Sequence, residues 1–280
     1  MRRRFVADPL LEVTGVSVRF GDFVALDHID WRVDGPGVVG LIGLNGAGKT
    51  TLIRSVLGLQ PVGAGEIRVP IGLGGLGYCP DTPGFEPWLT AREVLAQSRA
   101  LGPVRHGDAW SADAALTAVD LERHGHRRTG GFSRGMLQRL GIAAALVRGP
   151  RLLILDEPTS ALDPEGRAAV LALIRRLGTR MTVVFSSHLL ADVEDLADRL
   201  LVLHRGQRAF AGATADFLAG HTAAPALRIA LTGGRVIEAE PAGWGAALSD
   251  AAAHSGELED IRLTRPTLTD AFFTAIGERP

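Results

Sequence analysis

An apolar run, VVGLI at residues 38–42, leads directly into the segment GLNGAGKT at residues 43–50. Four positions of this segment match the spacing G-x-x-x-x-G-K-[ST], and a helical pattern of apolar residues follows it between Leu52 and Leu57. A strand, a tight loop and a helix in this order aim backbone N–H groups and the positive end of a helix dipole at one point. The segment therefore predicts an α/β fold built around a phosphate-binding loop.

The loop contains the only lysine of the chain, Lys49, whereas every other basic residue in the Lys+Arg total of 30 is an arginine. A compact ammonium can lie between the β- and γ-phosphates as a point charge, whereas a planar guanidinium needs more room. The hydroxyl of Thr50 is suited to Mg²⁺. The predicted phosphate-binding residues are Gly43, Asn45, Gly46, Ala47, Gly48, Lys49, Thr50 and Thr51.

Two further apolar runs end in side chains that suit phosphate chemistry. The run LLIL at 152–155 is followed by Asp156, predicted to hold Mg²⁺ through water, and by Glu157, predicted to orient and deprotonate the attacking water. The run MTVVF leads to His188 at the same carboxyl edge of the sheet, where α/β folds bind ligands. Taken alone, a histidine there is more often structural; beside the other motifs we predict a γ-phosphate contact. Lys49, Glu157 and His188 form the predicted catalytic set.

The remaining apolar patterns define the fold class. Alternation around Val16, Ile29 and Ile67 predicts an N-terminal antiparallel β subdomain. Solid apolar runs predict parallel strands that are covered on both faces, and they occur at residues 38–42, 152–155, 181–185 and 200–203. Helical patterns separate these runs, so we predict a P-loop NTPase core with a mostly parallel sheet.

The organisation along the chain follows from the same patterns. We expect an ATP-binding domain at residues 1–218, with a helical subdomain at about residues 86–150 that contains no clear strand. The Gly-, Ala- and Pro-rich part at residues 219–280 is expected to be a small C-terminal accessory region with a weak strand, helix, strand, helix order.

Composition restricts the possible partners and the compartment. The formal net charge of -1 lacks the basic excess that a nucleic-acid binder normally shows. Cys79 is the only cysteine, so no internal disulfide can form and a reducing compartment is expected. The basic start is followed by no apolar stretch of signal-peptide length and is interpreted as a solvated tail. The cysteine usage thus favours the cytoplasm. No window resembles a spanning helix, so if the protein works at a membrane we expect it to do so through a partner.

The segment FSRGMLQRL at residues 132–140, shortly before LLILDEPTSALDP, resembles the signature motif of the ATP-binding subunits of ABC transporters. The order of phosphate loop, signature, acidic strand and histidine is also similar, over roughly residues 10–215. In that family two subunits close head to tail around two ATP molecules. The resemblance implies that Ser133 and Gly135 donate hydrogen bonds to the γ-phosphate held by a second copy of this chain.

The resemblance also implies roles for residues outside these motifs. Phe20 corresponds to the aromatic residue that stacks on adenine, and Asp163 to the loop that crosses the dimer interface. Asp81 stands where the family typically has a glutamine, and we count it as a metal-site candidate together with Thr50 and Asp156. Arg134 replaces the usual first glycine of the signature and places a cation near the partner's triphosphate.

The segments GYCPDTPGFEPWLTAREVL at 77–95 and RPTLTDAFFTAIG at 265–277 resemble ATPase subunits of bacterial exporters for drugs, antibiotics and similar lipophilic cargo. Such subunits pair with a separate integral membrane permease, and residues 82–100 would lie near the groove that receives it. Trp88 is a candidate contact there, with local packing as the alternative. The competing hypothesis is an ABC ATPase that acts on ribosomes or DNA, but those usually have two fused domains or long coiled coils, and residues 50–132 contain no heptad run.

Overall fold

The computed structural model describes residues 9–101, 109–160, 162–222, 226–232, 234–254, 257–264 and 267–278. The basic start of the chain and the first two residues of the C-terminal segment at 265–277 lie outside these ranges. The chain divides into two compact units, residues 1–214 and 215–280.

The first unit contains both of the expected sheet types. Its described strands are β1 (Leu11–Phe20), β2 (Phe23–Val33), β3 (Gly37–Ile42), β4 (Ala64–Arg68), β5 (Leu76–Cys79), β6 (Leu152–Leu155), β7 (Thr182–Ser187), β8 (Arg199–His204) and β9 (Gln207–Ala213). Its described helices are α1 (Lys49–Val56), α2 (Ala91–Ala100), α3 (Ala112–Ala118), α4 (Arg134–Leu146), α5 (Pro164–Gly178) and α6 (Leu190–Leu196), and α7 (Thr214–His221) begins at its last residue.

Six of these described strands form the main sheet, in the order β5-β6-β7-β3-β8-β9. Among the described strands of this sheet, the first five are parallel and β9 runs antiparallel, as the hairpin partner of β8. All four residues of β6 and all six of β7 are buried, as the uninterrupted apolar runs predict for strands covered on both faces. This order brings the carboxyl ends of β3, β6 and β7 next to one another. The predicted α/β fold with a mostly parallel sheet is confirmed.

The second sheet of this unit is antiparallel, with the order β2-β1-β4. Val16 pairs with Ile29 across β1 and β2, and both side chains are fully buried. They belong to one hydrophobic core with Leu52 and Ile53 of α1, which anchors the helix that follows the phosphate loop. The alternation ends at Phe20, which is half exposed.

Between residues 86 and 150, the described segments hold three helices and short 3₁₀ turns, and the only strand-like pairing among them is a bridge between Thr90 and Arg128. A capping box of Thr90 and Glu93 starts α2, and Ser133 caps α4. Among the described residues no helix combines the length and the apolarity needed to cross a membrane.

The second unit contains an antiparallel sheet in the order β11-β10-β12, made of β10 (Ala226–Leu231), β11 (Arg235–Ala239) and β12 (Leu258–Thr264), with α8 (Trp244–Ala253) and α9 (Leu268–Ile276). Its core includes Ile229 of β10 and Ala247 of α8. The expected strand, helix, strand, helix order was wrong in one respect, because the first strand is a hairpin of β10 and β11. The sequence of β11 has little apolar alternation, and none of its residues is fully buried.

Candidate active site

The loop between β3 and α1 has the backbone conformation that its glycines allow. Gly46 and Gly48 have φ angles of 80° and 103°, in the left-handed region. A Cβ at Gly48 would lie 2.7 Å from the carbonyl oxygen of Ala25, whereas one at Gly46 would meet no protein atom within 4 Å. Within the described chain no side chain caps the start of α1, and its first turn carries no acidic residue. The unmet N–H groups and the helix dipole suit a bound anion, so the loop fits a phosphate.

Lys49 is held at the base of this loop. Its side chain is 8% exposed, and its Nζ donates a hydrogen bond of 2.7 Å to the carbonyl oxygen of Gly43. The same Nζ lies 3.5 Å from Oε1 of Glu157. The ammonium is therefore a fixed point charge between the end of β3 and the end of β6.

Asp156 follows β6 and is 3% exposed. Its Oδ1 accepts a hydrogen bond of 2.6 Å from the Ser186 hydroxyl, and its carboxylate also interacts with the Thr50 hydroxyl. Burial is the main cause that raises the pKa of Asp156, and the nearby charges of Asp81 and Glu157 raise it further. A divalent cation would offset this repulsion, and oxygen donors are the ligands Mg²⁺ prefers, so Thr50 and Asp156 fit the predicted metal.

Glu157 and His188 face each other. Oε2 of Glu157 lies 2.7 Å from Nδ1 of His188, and the two side chains are 18% and 43% exposed. Glu157 has a φ angle of 46°, unusual for a residue with a Cβ. Its N–H donates to the Ser186 hydroxyl at 2.7 Å, so one serine of β7 supports both Asp156 and Glu157. The carboxylate and the imidazole are thus within hydrogen-bond distance of each other at the carboxyl edge of the sheet.

These groups surround a cleft of about 390 Å³. It is lined by Phe23, Ala25, Leu44, Asn45, Gly46, Ala47, Gly48, Lys49, Thr50, Thr51, Asp81, Glu157, Ser160 and His188. The structure therefore brings most of the predicted nucleotide and metal residues together. Gly43 contributes through its carbonyl contact with Lys49, and Asp156 through Thr50.

Two aromatic side chains, Phe20 and Phe23, are candidates for the predicted stacking on adenine. Phe20 is 50% exposed but is not among the residues that line the cleft. Phe23, its cross-strand partner at the end of the β1–β2 hairpin, does line the cleft and is 61% exposed. Stacking on Phe20 stays a prediction, and Phe23 is a second exposed aromatic ring at the same hairpin.

The signature residues lie around a different cleft, of about 480 Å³. It is lined by Ser133, Arg134, Gly135, Met136, Arg139, Leu162, Asp163, Glu165, Gly166 and Ala169. Ser133 is exposed at the start of α4 and its hydroxyl accepts from the N–H of Met136 at 3.3 Å. Asp163 is exposed at the start of α5 and accepts from the N–H of Gly166 at 2.9 Å. No residue that the structure describes lines both clefts, so one copy of the chain presents the two predicted halves of the site separately.

Comparison with known proteins identifies the family to which this chain is similar. A model of the ABC transporter family matches residues 26–160. The bacitracin transport ATP-binding protein BcrA of Bacillus licheniformis is 37% identical over 211 residues, which span 71% of this chain and 68% of the relative. The daunorubicin resistance ATP-binding protein DrrA3 of Streptomyces coeruleorubidus is 34% identical, with 98% of each chain covered. A solved ATP-binding subunit of an ABC transporter superposes with a TM-score of 0.64 at 30% identity, covering 75% of this chain and 92% of the other.

Proposed function

Because the chain belongs to the ATP-binding subunits of ABC transporters, we propose that its ATPase activity drives export of a lipophilic or drug-like substrate through a separate membrane permease. In this proposal residues 1–218 form the ATP-binding domain and residues 219–280 an accessory region. The protein would lie on the cytoplasmic face of the membrane, held there by the permease.

The proposed chemistry assigns a role to each group of the cleft. The glycine loop and Lys49 bind the β- and γ-phosphates of ATP, and Glu157 orients a water molecule and accepts its proton as the water attacks the γ-phosphate. His188 contacts the γ-phosphate and keeps the Glu157 carboxylate in place. Thr50 and Asp156, with Asp81 nearby, would hold Mg²⁺, whose charge would neutralise part of that on the phosphates.

The observation that carries the head-to-tail arrangement is the separation of the two clefts. Ser133 and Gly135 stand at the exposed start of a 13-residue helix, where the dipole favours an anion, but neither lines the cleft of the phosphate loop. A second copy, placed with its signature cleft over the phosphate loop of the first, would complete two identical sites. The direct test is ATP-dependent dimerisation in dilute solution, and a chain that hydrolyses ATP as a strict monomer would contradict it.

We expect Arg134→Gly to weaken ATP-dependent dimerisation about threefold to tenfold, the range of one partly exposed charge contact with phosphate. Arg134 is exposed, lines the signature cleft and begins α4. The measurement is the dimerisation constant by analytical ultracentrifugation with ATP and Mg²⁺, with Arg134→Lys as the variant that keeps the charge. Unchanged urea unfolding would show that the monomer is intact. Equal constants for the wild type and the glycine variant would leave Arg134 without a role at the interface.

The proposed permease contact centres on Trp88, which is 62% exposed. The segment around it is braced by Thr129, whose N–H donates to the Leu89 carbonyl oxygen at 2.8 Å and whose hydroxyl donates to that of Glu86 at 2.8 Å. A large aromatic side chain on a rigid loop suits a binding contact.

We therefore expect Trp88→Ala to reduce, at least severalfold, the amount of permease that copurifies with the tagged chain from detergent-solubilised membranes, while basal ATPase activity stays unchanged. Mass spectrometry would identify the polytopic partner. Exposed Leu101, at 81% exposure, provides the matched control as Leu101→Ala. Equal recovery with Trp88→Ala would place the contact elsewhere.

Support for export comes from the relatives of this chain, which include bacitracin transport, daunorubicin resistance and Nod factor export ATP-binding proteins. The test is to reconstitute the copurified complex and measure which lipophilic compounds stimulate ATP hydrolysis. Stimulation by ribosomes or DNA instead of by such compounds would favour the competing hypothesis.

A further inference from the structure

Asp192 on α6 is a carboxylate buried away from solvent, outside the residues that line either cleft. Its side chain is 1% exposed. Oδ2 accepts a hydrogen bond of 2.8 Å from the Thr159 hydroxyl, and Oδ1 accepts one of 2.7 Å from Nε of Arg167. Taking a carboxylate out of water costs several kcal/mol, about as much as such a pair returns, so a group of this kind contributes more to a defined arrangement than to stability.

The two partners of Asp192, Thr159 and Arg167, belong to the stretch of chain that connects β6 to the first turn of α5. Thr159 is buried and lies two residues after Glu157. Arg167 lies in the first turn of α5, and its N–H donates to the carbonyl oxygen of Asp163 at 2.9 Å. One carboxylate therefore connects to the backbone beside the proposed general base and to the helix that begins at the proposed interface residue.

Asp192 also lies four residues after His188, so these contacts close a ring. From Glu157 the backbone continues to Thr159, whose hydroxyl donates a hydrogen bond to the Asp192 carboxylate. The backbone returns from Asp192 to His188, and the imidazole closes the ring 2.7 Å from the Glu157 carboxylate. Without the Thr159 bond, the spacing would depend on the backbone bond of Glu157 to Ser186 and on the exposed His188 contact, and α6 would no longer be tied to the segment after Glu157.

We propose that Asp192 is a positioning residue for ATP hydrolysis: through Thr159 it fixes Glu157 relative to His188, and through Arg167 it fixes the start of α5 at Asp163. The inference rests on the role proposed for Glu157 and concerns how that carboxylate is held. Asp192 itself contacts neither nucleotide nor metal in this scheme.

The test compares Thr159→Val with Thr159→Ser in the full-length protein. Valine keeps the shape but removes the hydroxyl donor, so we expect kcat for ATP to fall about fivefold to twentyfold, the effect of a small misplacement of a catalytic group. KM for ATP should stay within twofold, because the phosphate loop is untouched. Serine restores the donor, and its kcat should stay within about twofold of the wild type.

A matched control separates positioning from general destabilisation. Thr214 is also buried, and its hydroxyl donates to the carbonyl oxygen of Ala197 at 2.5 Å, but it lines neither cleft. Thr214→Val should lower the melting temperature by a similar amount and leave kcat unchanged.

Three results would overturn the inference: a normal kcat for Thr159→Val, an equal loss for the serine variant, or an equal loss for Thr214→Val. Failure of the proposed function would look different, because Glu157→Gln would then retain activity. A dead Glu157→Gln variant beside a fully active Thr159→Val would reject only the role of Asp192.

Discussion

Glu157→Gln is expected to lower steady-state ATP turnover at least a hundredfold, which corresponds to about 2.7 kcal/mol at the transition state. Glutamine keeps the size of the side chain and can still contact His188, 2.7 Å away in the wild type, but it cannot accept a proton from water. Glu157 lies just after a buried strand and its N–H is bonded to Ser186, so the backbone cannot easily shift to bring another base into its place.

The same variant should accumulate an ATP-bound dimer, since the chemical step that separates the two copies is blocked while both clefts stay intact. Multi-angle light scattering with ATP and Mg²⁺ would show twice the monomer mass, and phosphate release would give the turnover. Glu66→Gln is the matched control, because that side chain is 71% exposed on β4 and lines neither cleft. A Glu157→Gln protein that hydrolyses ATP at nearly the wild-type rate would remove Glu157 from the role of general base.

The sequence predicted those parts of the site that depend on local pattern. The strand, the glycine-containing loop and the helix after it were predicted from residues 38–57 alone, because the three are contiguous in the sequence. The acidic pair at 156–157 and the histidine at 188 could be placed at one sheet edge, since parallel buried strands end on the same side. No knowledge of long-range contacts was needed for these.

Other parts depend on which strands are neighbours, and a single sequence does not reveal that. Ser186 forms hydrogen bonds with both Asp156 and Glu157 only because β6 and β7 are adjacent. Its position two residues before His188 is the one sequence feature that could have suggested a role in the site. In the sequence, Asp192 is one more acidic residue on a short helix. Its hydrogen bonds with Thr159 and Arg167 depend on the packing of α6 against α5 and the segment before it. The ring that lines the cleft at the β1–β2 hairpin is Phe23, and alternation alone does not distinguish it from Phe20.

Lys49→Arg should also lower ATP turnover at least a hundredfold, even though the charge is retained. The wild-type ammonium lies 2.7 Å from the Gly43 carbonyl oxygen and 3.5 Å from Glu157, with 8% of the side chain exposed. A guanidinium is larger and planar, so it would have to displace the loop or project into the space for the phosphates. The measured quantities are kcat and KM for ATP hydrolysis, together with the affinity for ATP by calorimetry.

Arg54→Lys is the reciprocal control, because Arg54 is an exposed residue in the last turn of the same helix. This variant exchanges the same two residue types at an exposed position five residues after Lys49. Because the charge is kept there and no phosphate geometry depends on the side chain, turnover should stay unchanged. If both variants were fully active, charge alone would suffice at position 49, and the presence of one lysine in a chain that otherwise uses arginine would need a different explanation. Loss confined to Lys49→Arg would mean that the shape of the ammonium, held between β3 and β6, is what the phosphate site requires.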